Sequence, residues 1–104
     1  MDREKRQREE AWIGDAVLTL FIRELILREQ GGIDGRRLER LTSNQFLAAF
    51  GQPTTVEAAI GRAYAAGGLP GAYAWIERSL LPQVRRQEEK QSRRGSLRRP
   101  PRES

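Results

Sequence analysis

Between Ala11 and Ile22 the chain reads Ala-Trp-Ile-Gly-Asp-Ala-Val-Leu-Thr-Leu-Phe-Ile, and only Gly14, Asp15 and Thr19 in this run are not apolar. The composition favours helix over strand. A helix that is apolar on nearly every side has to be covered on several of them. Asp15 is thereby carried toward a core or onto the floor of a cleft. An unpaired buried carboxylate is costly, so a metal ion, a hydrogen-bonding partner or water in an open cleft must compensate its charge.

The chain has 104 residues, with no cysteine and no histidine. Disulfides, thiolate metal sites, Ser-His and Cys-His catalysis and imidazole acid–base chemistry are therefore excluded. Any catalysis must rest on carboxylates, with Lys and Arg as electrostatic helpers. The length suits one small domain with a modest core. No stretch approaches a membrane span, and the charged start (Asp2 to Glu10) is unlike a signal peptide, so a cytoplasmic or organellar protein with no membrane partner is expected.

The net charge of +5 is concentrated at one end. Residues 84–104 carry Arg85, Arg86, Lys90, Arg93, Arg94, Arg98, Arg99 and Arg102 against Glu88, Glu89 and Glu103, and the remainder is formally neutral. A basic segment of this kind suits a polyanionic partner, RNA before membrane, or serves as a solubilising extension.

Periodicity and breakers predict an all-α domain over residues 1–83. The first helix spans about Glu9 to Glu29 and ends at Gly31-Gly32. A turn at Ile33-Asp34-Gly35 leads to a short helix, Arg36 to Leu41, with Leu38 and Leu41 as its apolar contacts. Thr42 and Gln45 fit a capping box before a helix from Ser43 to Phe50, and Thr54 and Glu57 fit a second before a helix stopped by Gly67-Gly68. Pro70 suits the first turn of a helix through Leu81. Pro82 breaks or kinks it, Gln83 to Gln91 extend it, and the Arg-, Ser-, Gly- and Pro-rich stretch from Ser92 is expected to be disordered.

Two carboxylates stand apart from the solvated charge pairs. Asp15 follows Gly14, and Glu57 precedes Gly61 by one turn. A helix-face glycine allows close approach of another backbone, and its cost of roughly 1 kcal/mol is justified only by packing. If the two glycine faces meet, Asp15 and Glu57 converge near the crossing. Two carboxylates at one place repel unless a cation joins them, and Mg²⁺ suits such a site because it takes one or two carboxylates and keeps its waters. The alternatives are that Glu57 serves only to cap the Thr54 backbone, and that Asp15 points to solvent or pairs with Arg62.

Three stretches resemble the ribonuclease III family. Trp12-Ile13-Gly14-Asp15-Ala16-Val17-Leu18 is similar to its signature helix, Leu-Glu-Phe-Leu-Gly-Asp-Ala-Val-Leu. Leu41-Thr42-Ser43-Asn44-Gln45-Phe46-Leu47-Ala48 resembles Leu-Val-Ser-Asn-x-x-Leu-Ala. Val56-Glu57-Ala58-Ala59-Ile60-Gly61-Arg62-Ala63-Tyr64 resembles Phe-Glu-Ala-Leu-Ile-Gly-Ala-Ile-Tyr, with Gly67-Gly68 following. Ala11 and Thr54 stand where the full-size enzymes carry two further acids, and both substitutions are similar to the Mini-III subgroup. The connection between the second and third stretches is shorter than is usual in the family.

The resemblance implies a dimeric all-α endonuclease domain in which Asp15 and Glu57 are the catalytic acids and the Mg²⁺ ligands. It implies double-stranded RNA as substrate, with a ribosomal RNA precursor as the first expectation by analogy, and the surplus apolar surface of Trp12, Leu18, Phe21, Ile22 and Leu25 available for a homodimer. The segment 84–104, with Arg85, Arg86, Arg93, Arg94, Arg98 and Arg99, would then grip phosphates without reading sequence. The competing expectation is an inactive RNA-binding or ribosome-associated scaffold of the same fold. A helical protein–protein module, with the acids irrelevant, is a third.

Overall fold

The computed structural model describes residues 2–98, and the side chains of residues 2–92. Five helices follow one another: α1 (Asp2–Gln30), α2 (Gly35–Thr42), α3 (Asn44–Leu47, extended by a 3₁₀ turn at Ala48–Phe50), α4 (Pro53–Ser79) and α5 (Leu81–Arg98). Among the described residues there is no strand, and no helix is long and apolar enough to cross a membrane. The expected all-α class is the observed one.

Helix α1 is the spine of a single compact domain. Its inward residues Ala11, Gly14, Val17, Leu18, Phe21, Ile22, Leu25 and Ile26 recur at three- and four-residue spacing and pack mainly on α4. Leu41, Phe46, Leu47, Val56, Ile60, Ala72, Ile76, Leu80 and Val84 complete one continuous core. Phe21 meets Tyr73 edge to face at 5.0 Å, and the Tyr73 hydroxyl donates to Glu24 at 2.8 Å. The apolar run is buried on one side, not several: Trp12 is 78% exposed, and Ile13 and Leu20 also face outward. The reason is simple: α4 is the one long helix laid against α1, and it covers one face.

Two glycines set how closely these helices approach. A Cβ on Gly14 would fall inside the van der Waals radius of the Glu57 carbonyl oxygen, and one on Gly61 would do the same to the Glu10 carbonyl oxygen. The obstacles are backbone atoms, which cannot rotate away. The helices therefore cross backbone to backbone, as the glycine spacing suggested.

Caps and breaks follow sequence chemistry with adjustments. Gly31 ends α1 at φ 71°, a left-handed conformation that costs other residues more. The Asp34 carboxylate accepts from the Arg37 N–H and starts α2. The next cap is Ser43, whose hydroxyl accepts from the Phe46 N–H at 3.1 Å. Thr42, the expected cap, is instead the last residue of α2 and donates back to the Leu38 carbonyl at 2.7 Å. Helix α4 opens with Gln52 and Pro53, without a side-chain cap, so Thr54 and Glu57 form no capping box. At Gly68 (φ 65°, ψ −164°) the helical path breaks, and Pro70 begins its second half.

The boundary expected after residue 83 is not one in the structure. Val84 is buried in the core, and α5 remains helical through Arg98, past the Ser92 at which disorder was expected. Residues 99–104 lie outside the described residues. Polar contacts add to the attachment of α5. The Arg37 guanidinium, 11% exposed, donates to Glu88 at 2.6 and 2.8 Å, to Glu29 at 2.6 Å and to Gln30 at 3.1 Å. Arg85 adds a second cation to Glu29. The Arg37 hydrogen bond, foremost, holds the Glu29 carboxyl below its ordinary pKa. One guanidinium thus ties together α1, α2 and α5.

Two substitutions test this architecture. Gly14→Ala should lower the free energy of unfolding by about 3 kcal/mol or more, because the helices must separate, whereas Ala on exposed Gly35 should have little effect. Arg37→Ala should cost about 2 kcal/mol, between the values for exposed and buried ion pairs. Arg37→Lys should recover little, since an ammonium cannot make the forked contacts. Urea denaturation measures both.

Candidate active site

Asp15 lies on α1 one residue past the Gly14 contact, and Glu57 lies on α4 one turn before Gly61. The glycine crossing thus fixes the two positions relative to each other, and the Glu57 carboxyl is close enough to feel the charge of Asp15. They share a cleft of about 330 Å³ with Arg8, Ala11, Trp12 and Thr54. Asp15 is exposed and Glu57 half-buried, so the cleft is open to water. The carboxylate on the apolar helix is accommodated at a cleft, not in a core.

Two of the alternatives are not what the side chains do, whereas Asp15 is indeed exposed to solvent at the cleft. Arg62 pairs with Glu10 at 3.2 Å rather than with Asp15. Glu57 is the fifth residue of α4, too far along to cap its first turn. Burial foremost, then the neighbouring Asp15 carboxylate as a hydrogen-bond acceptor and as a like charge, push the Glu57 carboxyl up to about 7 from its ordinary 4.5. Glu57 therefore keeps its proton at pH values where an isolated glutamate has lost its own.

Such a pair suits a small hard cation. It offers carboxylate oxygens from two rigid helices at a place with room for water, the combination that Mg²⁺ accepts. Among the described residues no group of three or more potential metal-ligating side chains occurs, so the protein would supply these two acids alone.

Sequence reasoning missed Arg8 and gave Trp12 a different role. Arg8 precedes Asp15 by seven residues, two helical turns, and that spacing already places both on one face of α1. Trp12 is expected on a homodimer surface with Leu18, Phe21, Ile22 and Leu25, yet those four are buried in the core against α4 and Trp12 stands at the cleft wall. The basic positions fare unevenly: Arg85 is engaged with Glu29, whereas Arg86 is exposed on α5. Arg93, Arg94 and Arg98 lie on α5, with side chains outside the described ones, and Arg99 lies outside the described residues altogether. No protein-family model, no curated protein and no solved structure matches the chain.

The raised pKa of Glu57 has a thermodynamic consequence in metal-free protein. The folded state holds the proton more tightly than the unfolded chain, so this group's contribution is full below about pH 4.5 and is lost as pH rises to about 7. Glu57→Gln cannot ionise and escapes that loss. Its melting temperature in EDTA should exceed that of the wild type at pH 8, and the gap should close toward pH 4.5. Thermal denaturation across pH checks this, and a gap that widened toward acid would contradict it.

Proposed function

We propose that the chain is a Mg²⁺-dependent endoribonuclease of the ribonuclease III type, closest in pattern to Mini-III, that cleaves double-stranded RNA as a homodimer. The observation that carries this reading is the meeting of Asp15 and Glu57 in one water-open cleft. The two acids come from helices far apart in sequence, at the positions where the resembling motifs carry the family's acids. A ribosomal RNA precursor, met in the cytoplasm or an organelle, is the substrate suggested by the same resemblance.

Mg²⁺ held by Asp15 and Glu57 would supply a bound water of lowered pKa and polarise the scissile phosphate. Around it, the chain's own residues have definite tasks. Asp15 and Glu57 must both be ionised to hold the cation, so the proton on Glu57 has to leave first. Arg8, on the wall of the cleft, offsets the negative charge of an approaching phosphate. Water attack at phosphorus with loss of the 3′ oxygen leaves a 5′-phosphate and a 3′-hydroxyl.

The outward apolar stripe of α1 supports the dimer. Ile13, Leu20 and Leu27 repeat every seven residues and remain 39–50% exposed, the seam pattern by which a helix pairs with a second copy of itself. Leu20→Glu should therefore shift the protein to monomer in sedimentation, and a wild type that is already monomeric would remove the dimer from the proposal.

Cleavage of an end-labelled RNA duplex with Mg²⁺ tests the activity. Wild type should cut, and Asp15→Asn and Glu57→Gln should each lose at least about a hundredfold in rate. Because Glu57→Gln is expected to be the more stable protein at pH 8, its inactivity could not be blamed on unfolding. The presence of two acids, with no third ligand among the described residues, favours the scaffold as the second reading. Binding of the duplex without cutting would establish it.

A further inference from the structure

A second groove, larger than the two-acid cleft, lies elsewhere on the described residues. It measures about 590 Å³ and runs between α2–α3 and α5. One wall carries Arg36 and Arg40, four residues apart on α2, with Gln45 at the start of α3. The other carries Gln83, Gln87 and Gln91, also at four-residue spacing and so in one row along α5. By helix rise that row is about 12 Å long.

The chemistry of this lining is unusual for a surface so rich in charge. Among the described residues, the four amides engage no other side chain or backbone group. The Arg40 Nε is buried without a hydrogen-bond partner, and its guanidinium only approaches Glu88 at 3.9 Å. A buried donor left unpaired is costly, and such groups normally find a partner. The groove therefore presents guanidinium and amide donors along its length, with Glu39 as its one acid. Arg86, Glu89 and Lys90 border the same row of α5, and Arg93, Arg94 and Arg98 lie further along the helix.

We infer that this groove is a second binding site, separate from the cleft, and that it takes the sugar–phosphate backbone of RNA. Arginines supply forked donors to phosphate oxygens. Amides both donate and accept, which matches phosphate oxygens and ribose 2′-hydroxyls in alternation. No base is read, so the contribution is to affinity and positioning rather than to sequence choice. The inference rests on the RNA reading given above but assigns a different surface, one that does not touch Asp15 or Glu57. A small free anion would leave most of a 590 Å³ groove unfilled. An acidic polypeptide is the rival occupant.

The test is binding of a fluorescein-labelled RNA duplex to the full chain in EDTA, read by anisotropy over a series of salt concentrations. The groove variant is Gln83→Glu/Gln87→Glu. The control is Ala65→Glu/Ala66→Glu, which changes net charge equally on an exposed stretch of α4. Circular dichroism verifies that each variant is folded. The groove variant should bind at least about tenfold more weakly, with a shallower dependence of log affinity on log salt, while the control keeps most of its affinity. Poly-L-glutamate should not displace the RNA from the wild type.

Equal binding by the groove variant and wild type would overturn the groove assignment and leave the endonuclease reading intact. Equal losses in groove variant and control would also overturn it, since net charge alone would then govern binding. Displacement by poly-L-glutamate would hand the groove to an acidic polypeptide. A wild type that binds no RNA at all would overturn both the groove and the endonuclease reading. If wild type cut duplex while the groove variant bound normally, only the groove would fall.

Discussion

Everything in this domain depends on the contact between α1 and α4 at Gly14 and Gly61. Each glycine faces a carbonyl oxygen of the opposite helix so closely that no side chain fits. Contacts of this kind gain dispersion energy from backbone atoms, which have no rotamers to lose on packing. Their greater importance lies in tolerance. Side chains interdigitate with some freedom, but two helix backbones in contact can neither slide nor rotate without collision. The carboxylates of Asp15 and Glu57, next to that contact, inherit its rigidity. A site built beside such a crossing is pre-positioned by the scaffold rather than by loops.

The same crossing explains how much could be read in advance. A glycine within an apolar helix is a local anomaly, and Gly14 and Gly61 each adjoin an acid, so their convergence followed from the cost of glycine in a helix. Breaks were equally legible: Gly31 and Gly68 adopt the left-handed backbone their residue type suggests. What escaped depended on tertiary contacts. Val84 continues the four-residue spacing of Ile76 and Leu80, but Pro82 reads as a break before it, so the sequence hides that it closes the core. Arg37 looked like one more solvated cation, because nothing in sequence brings it to Glu29 and Glu88. Charge density alone made residues 84–104 read as a tail, whereas apolar and ionic contacts attach the start of α5 to the body. Capping slipped by one residue at Thr42 because Ser43 has the same chemistry and the structure chose between adjacent hydroxyls.

Charge is arranged on two faces with different grammar. Around α1 and α4, two acids face each other across a small cleft with an arginine at its wall. Between α2 and α5, guanidinium and amide groups face each other across a larger one. Arg37 separates the two systems in a third way, because it makes four hydrogen bonds inside the protein. Cations in this chain thus divide into those that hold helices together and those that remain available to a partner. Formal net charge does not distinguish them.

Gly68 has a consequence for how the chain tolerates change. Within an uninterrupted helix, inserting a residue turns everything beyond it by about 100°. In α4 such a shift would carry Ile76 and Ala72 off the core or swing Glu57 away from Asp15. The left-handed residue at Gly68 interrupts that transmission. The half of α4 that bears Glu57 is registered on α1 by Gly61, and the half that bears Ile76 is registered by its own apolar face. Length variation is therefore least damaging at the Gly67-Gly68 joint, where the fold has a seam between a part that must stay fixed and a part that can be resized.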